Sequence, residues 1–156
     1  MTQTALSLGD ALPDLPVETD LGAARLADWR GKSLVVYFYP KDDTPGCTIE
    51  GQDFSRLHAD FLLAGCQILG VSRDTVASHR RFIAKYDLSV TLAADTDSQL
   101  CKAFGVLKEK NLYGKKVVGI ARSTFLFDAT GGLRMAWQGV SAPGHAETVL
   151  RAAQSI

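Results

Sequence analysis

The sequence is short of most features that announce a function. Its 156 residues include only three cysteines, Cys47, Cys66 and Cys101, too few and too scattered for a disulfide scaffold or a zinc site. Net charge is absent, since 17 Lys and Arg balance 17 Asp and Glu. No basic footprint therefore argues for nucleic acid or an anionic membrane. Long hydrophobic runs are missing too: "SLVVYFY" (33–39) is far too short to cross a bilayer. The start, "MTQTALSLGDALPDLPVE", has no basic segment followed by an apolar one, so no secretory leader is expected. No repeat, low-complexity tract or linker divides the chain. With 46% hydrophobic residues it reads as one domain, 1–156, with a sizeable core. These absences point to a reducing, cytoplasmic setting, where a cysteine that matters acts as a thiolate.

What is present is a succession of strand and helix signals. Residues 1–16 are polar, punctuated by proline, and read as an extended arm. Residues 17–32 read as a short hairpin with Leu21-Gly22 near its turn, then a polar helical turn. "SLVVYFYP" (33–40) is a buried strand stopped by Pro40. Phe54, Leu57 and Phe61 recur at helical spacing within 45–64, and Gly65 ends that helix. A strand at 66–72, a helix over 75–86, a strand at 90–95 and a short helix near 98–104 follow. Residues 108–116, "KEKNLYGKK", read as a solvated charged loop. Residues 117–140 read as a hairpin turning at Ala-Thr-Gly-Gly, and "PGHAETVLRAAQSI" closes the chain as a helix. This order predicts an α/β fold with a central mixed β-sheet flanked by helices. An antiparallel hairpin after a βαβ unit is the thioredoxin-like pattern, whereas a flavodoxin-like chain would continue βαβα.

The chemistry concentrates in "YPKDDTPGCT" (39–48). Thr44 is placed to cap a helix, Pro45 falls at its first position and Cys47 at its third. There the free N–H groups and the positive end of the helix dipole favour a thiolate. Cys47 precedes Phe54 and Phe61 by seven and fourteen residues, so its sulfur is expected partly buried, at the mouth of a pocket. Lowering a thiol pKa from about 8.5 to about 6 raises its thiolate fraction at pH 7 roughly thirtyfold, about 2 kcal/mol. A fast reaction needs more, namely donors aimed at the atoms that gain charge. Arg122 is one candidate: it sits in "VVGIARSTFLF", read as a buried strand, where an arginine needs an anionic partner. Cys47 and Glu50 are the candidate partners.

Pro40, Thr44 and Cys47 form P-x-x-x-T-x-x-C, preceded by "VVYFY" and followed far downstream by "GIARSTFLFD". With "ILGVSRD", "AFGV" and "GHAETVL", the chain resembles the peroxiredoxins, specifically the bacterioferritin comigratory protein (PrxQ-type) subfamily, over nearly its whole length. The resemblance implies a thioredoxin-like fold and a cofactor-free, metal-free peroxidase acting on hydrogen peroxide and alkyl hydroperoxides. Cys47 would be the peroxidatic cysteine, oxidised to sulfenic acid. Thr44 would hydrogen-bond the peroxide, Arg122 would stabilise the thiolate and the departing oxygen, and Pro40 would shield the site. The N–H groups of Cys47 and Gly46 would complete the donor set, with Gly46 letting substrate approach the backbone. Thr44 stands where a thioredoxin carries the first cysteine of C-x-x-C. Subfamily members place a resolving cysteine where this chain has Gln52 or Ile83. A one-cysteine cycle is therefore expected, with thioredoxin, glutaredoxin or a small thiol as external reductant, in a monomer or a small dimer. A redox-relay or holdase role on the same fold is the alternative.

Other features carry blander readings. Cys66 and Cys101 read as core filler. His58, His79 and His145 lack metal-ligand spacing and read as surface residues. "GKS" (31–33) is no phosphate loop, because the required earlier glycine falls on Leu26 and the motif precedes its strand.

Overall fold

The computed structural model describes residues 6–156; the first five residues of the expected arm lie outside the described residues. A hairpin of β1 (Pro16–Thr19) and β2 (Gly22–Arg25) leads through a 3-10 turn to β3 (Ser33–Phe38). Helices α1 (Pro45–Arg56) and α2 (His58–Leu63) precede β4 (Cys66–Ser72). Then come α3 (Val76–Tyr86), β5 (Thr91–Ala94) and α4 (Gln99–Phe104). A second hairpin, β6 (Leu107–Leu112) and β7 (Lys115–Ile120), is followed by β8 (Ser123–Phe127), β9 (Leu133–Gln138) and α5 (His145–Gln154). Seven strands form one sheet in the order β2-β1-β5-β4-β3-β8-β9. Strands β3, β4 and β5 run parallel, while β8 pairs antiparallel with β3, so the sheet is mixed and thioredoxin-like.

Alternation along the central strands divides the core in two. Val35 and Tyr37 of β3, with Cys66 and Ile68 of β4, face a layer containing Cys47, Phe54, Phe61, Phe82 and Val149. Leu34, Val36 and Phe38, with Leu69 and Val71, face the opposite layer of Leu26, Cys101, Phe104 and Phe125. Because β3 is covered on both faces, it shows no polar alternation in the sequence.

Three elements differ from the sequence reading. The expected helix 45–64 breaks at Leu57, which leaves helical dihedrals (φ −93°, ψ 2°) so that α2 can turn onto β4. The expected charged loop 108–116 lies within the β6–β7 hairpin, turning at Tyr113 and Gly114, both at positive φ. Nearly all its side chains are exposed, so local pairing rather than burial makes these strands and no hydrophobic alternation marks them. Residues 117–140 hold three strands, not two. Arg122 therefore stands not inside a strand but in the two-residue passage where the chain leaves the small sheet and enters the large one.

Gly70 in β4 leaves room for the Tyr37 ring: a Cβ there would come within 2.7 Å of Tyr37 Cζ and Leu92 Cδ2. Gly70→Ala should overpack this layer and cost about 1–3 kcal/mol of stability, read as a lowered urea midpoint with an unchanged slope.

Candidate functional site

The site is built where β3 ends and α1 begins. Phe38 pairs with Ser123, so Arg122, one residue earlier on β8's side, lies beside the chain as it leaves β3. Thr44 occupies the N-cap of α1 in extended conformation and Pro45 follows at the first helical position. Cys47, Glu50, Gly51 and Phe54 form the helix's buried stripe. Cys47 is more enclosed than expected, with 2% of its surface exposed.

The Thr44 hydroxyl does not cap the helix. It donates instead to the Lys41 carbonyl at 2.8 Å, and among the described residues no side-chain cap bond is made at this terminus. The first N–H groups of α1, those of Gly46 and Cys47 included, have no acceptor within the helix. The threonine oxygen meanwhile keeps its lone pairs free to accept.

Arg122 spans two acids. One guanidinium nitrogen donates to Glu50 Oε1 at 2.7 Å and another to Cys47 Sγ at 3.5 Å. Its planar fork presents a separate nitrogen to each acid, a geometry that a lysine's single ammonium does not reproduce. Gly46 is explained by the same group: a Cβ at that residue would lie 2.9 Å from Arg122 Nη2. The guanidinium thus lies where a side chain at Gly46 would begin.

Glu50 is fully buried, and its Oε2 has no hydrogen-bond partner among the described residues. Burial pushes its carboxyl up to about 7, against the opposing pull of Arg122. Arg122 is held even more firmly protonated by Glu50 and Cys47, which outweigh its own desolvation. Tyr37, stacked on Phe54 at 4.5 Å, holds its hydroxyl proton well above the usual range, through burial first and then through Glu50 and Cys47. Pro40 lies exposed, two residues beyond β3.

Two of the three histidines overturn the surface reading; His58 is half-buried, its Nδ1 3.0 Å from Ser89 Oγ. His145 is buried, with Nε2 2.7 Å from Thr124 Oγ1 and its ring edge-on to Trp137. Burial, reinforced by Arg122, pushes its pKa down. His79 is completely buried, its Nδ1 2.7 Å from Asp42 Oδ2 and its Nε2 2.8 Å from the Ala93 carbonyl. The sequence held a signal for His79: it lies on the stripe of α3 that includes Phe82 and Tyr86. Asp42 and Tyr39, its partners, were missed because only tertiary contact makes them notable. Among the described residues, no cluster of His, Cys, Asp and Glu could hold a metal ion, and no helix is long and apolar enough to cross a membrane.

The Glu50 carboxyl sets a stability trend with a definite sign. Its folded pKa of about 7 exceeds the ordinary 4.5, so the folded state binds this proton more tightly than the unfolded state. Stability from this group is therefore greatest at low pH and falls as pH rises from about 4.5 through about 7, by about 3 kcal/mol in all. Urea titrations across that range should show this descending component in the wild type and its loss in Glu50→Gln.

Residues 8–136 match the AhpC/TSA family. Peroxiredoxin Bcp of Xanthomonas campestris pv. campestris is 51% identical over 153 residues, covering 97% of this chain and 96% of the relative. Peroxiredoxin Bcp of Bacillus subtilis is 41% identical over 147 residues, covering 94% of each chain. The solved structure of Xanthomonas campestris Bacterioferritin Comigratory Protein, studied for its alkyl peroxide reduction activity, superposes with a TM-score of 0.87. It is 48% identical, with 94% of this chain and 98% of that one covered.

Proposed function

Because the chain belongs to the AhpC/TSA family, as a thiol peroxidase of its Bcp (PrxQ) branch, we propose that Cys47 reduces hydrogen peroxide and alkyl hydroperoxides through a sulfenic acid. The observation that carries this is the pairing of Cys47 with a guanidinium beside uncapped helix N–H groups. The thiolate attacks the terminal peroxide oxygen. The S–O bond forms as the O–O bond breaks, and the departing alkoxide or hydroxide takes a proton to leave as alcohol or water. Thr44 Oγ1, already donating to Lys41, accepts the peroxide O–H. Arg122 and the N–H groups of Gly46 and Cys47 face the oxygens that gain charge. Pro40 stands at the outer rim of this site.

The return step uses an external thiol, whether thioredoxin, glutaredoxin or a small thiol. It attacks the sulfenic sulfur and expels water, and a second thiol then releases Cys47 and leaves as disulfide. Residues 52 and 83, Gln and Ile, supply no sulfur. Cys66 pairs with Ser33 at the far end of β3, five residues of strand from Phe38, roughly 17 Å at the usual rise per residue. Burial pushes its thiol up to about 12. Cys101 belongs to the core on the other sheet face and is pushed higher still, by burial and then by Asp95. Neither is poised to resolve Cys47.

One equivalent of peroxide added to the reduced protein should place a single oxygen on Cys47 by intact mass and peptide mapping. Loss of two hydrogens with Cys47 joined to Cys66 or Cys101 would overturn the one-cysteine cycle, and an unmodified Cys47 would overturn its assignment. Arg122→Lys keeps the charge but replaces the fork's two nitrogens by one, so the paired geometry toward Glu50 and Cys47 is lost. Its rate constant for Cys47 oxidation, followed by stopped flow, should fall about 10²-fold.

A further inference from the structure

Residues 40–44, which deliver Thr44 to the site, are bolted to α3 at both of its ends. Asp43, at φ 58°, accepts from Lys85 Nζ at 2.7 Å and from Tyr86 Oη at 2.5 Å. That pair is largely exposed and is screened accordingly. Asp42 makes the deeper attachment. Its N–H donates to Asp74 Oδ2 at 2.9 Å, its Oδ1 accepts from Tyr39 Oη at 2.6 Å, and its Oδ2 accepts from Ser78 Oγ at 2.8 Å. The same Oδ2 meets His79 Nδ1 at 2.7 Å, while His79 Nε2 faces the Ala93 carbonyl of β5.

A carbonyl oxygen can only accept, so Nε2 must carry a proton. Asp42 already accepts from two hydroxyls, so its carboxylate is the natural acceptor for Nδ1 as well. The whole network closes with every donor matched when the ring holds both protons and Asp42 is ionised. Both groups are almost completely buried, where removing one partner leaves an uncompensated charge. We infer that Asp42 and His79 form a buried charge pair that acts as a positioning device, holding residues 40–44 against α3 so that Thr44 and the first turn of α1 are aimed at the Cys47 sulfur. The pair touches neither sulfur nor peroxide; it acts through the loop. This inference rests on the reading of Cys47 as the peroxide-reactive thiol.

Nitrogen NMR of the histidine-labelled full chain at pH 7 reads the ring directly. Two protonated ring nitrogens at His79 are expected, and a single one overturns the charge pair. Stopped-flow oxidation of Cys47 by hydrogen peroxide and amide exchange over 40–44 are then compared in wild type, His79→Gln, Asp42→Asn and the double variant. Each single change should slow oxidation about ten- to a hundredfold, as a misplaced reacting group does, and speed exchange in the loop. The double variant keeps hydrogen-bonding side chains without a lone charge and should recover most of both. Single variants that fold and match wild type, or a double variant no better than the worse single, overturn the proposal. Should a single variant fail to fold, the ring protonation and the double variant decide: a folded double variant near the wild-type rate upholds the charge-pair account, and one that also fails to fold or is slow overturns it. Exchange and NMR need no peroxide, so a Cys47 that proves inert would sink its own assignment while leaving the loop clamp separately tested.

Discussion

A single guanidinium serving two acids is the constraint around which this site is arranged. Arg122 reaches Glu50 and Cys47 at once, and each of the three would be costly to bury without the others. The arrangement dictates residues that do no chemistry themselves. Gly46 must lack a side chain because the guanidinium occupies that volume. Glu50 must sit one turn after Cys47 on the same stripe of α1. The carboxylate gives Arg122 a fixed anchor 2.7 Å away, so the weaker and longer contact to sulfur is held in place by the stronger one.

The sheet order makes this meeting possible between residues 75 apart in sequence. β8 enters beside β3 and runs against it, which brings the start of one strand to the end of the other. The passage between the β6–β7 hairpin and the large sheet falls at Arg122. An arginine within a paired strand would have its side-chain direction set by the pleat. In the passage it is freed from that alternation and can turn toward α1 while Ser123 and Thr124 begin the ladder.

Much of this was legible from the chain, because the residues involved follow strong local rules. Thr-Pro-Gly-Cys places a helix start unambiguously, the apolar run of β3 marks a strand covered on both sides, and an arginine amid "VVGIARSTFLF" demands an acidic partner. What was not legible depends on context that no local window holds. The hairpin of residues 107–120 is exposed on both faces, so it lacks the alternation by which strands are recognised. Thr44 has the identity of a capping residue, but the fold of residues 40–44 puts the Lys41 carbonyl within reach of its hydroxyl. His79 and His145 look polar in sequence and become core residues only because Asp42, Ala93 and Thr124 supply partners from other elements.

The two sheet faces divide the polar burden unequally, and the division explains the site's location. The face toward α4 is packed almost wholly with apolar side chains; its main polar exception, Asp95, accepts from the Leu100 and Cys101 N–H groups and so caps that helix. The face toward α1, α3 and α5 carries the Arg122–Glu50 pair, the Asp42–His79 network and the Thr124–His145 bond. Most of these groups gather near the ends of β3 and β5 and the start of β8, where strands finish and backbone geometry is least constrained by the ladder. At the strand ends, loops and neighbouring helices supply partners, and the free N–H groups at the start of α1 make the sulfur's surroundings suited to a developing negative charge. Arg122 is the donor that stability and reactivity share, since it binds Glu50 and Cys47 at once, and it meets the cysteine at the first turn of α1.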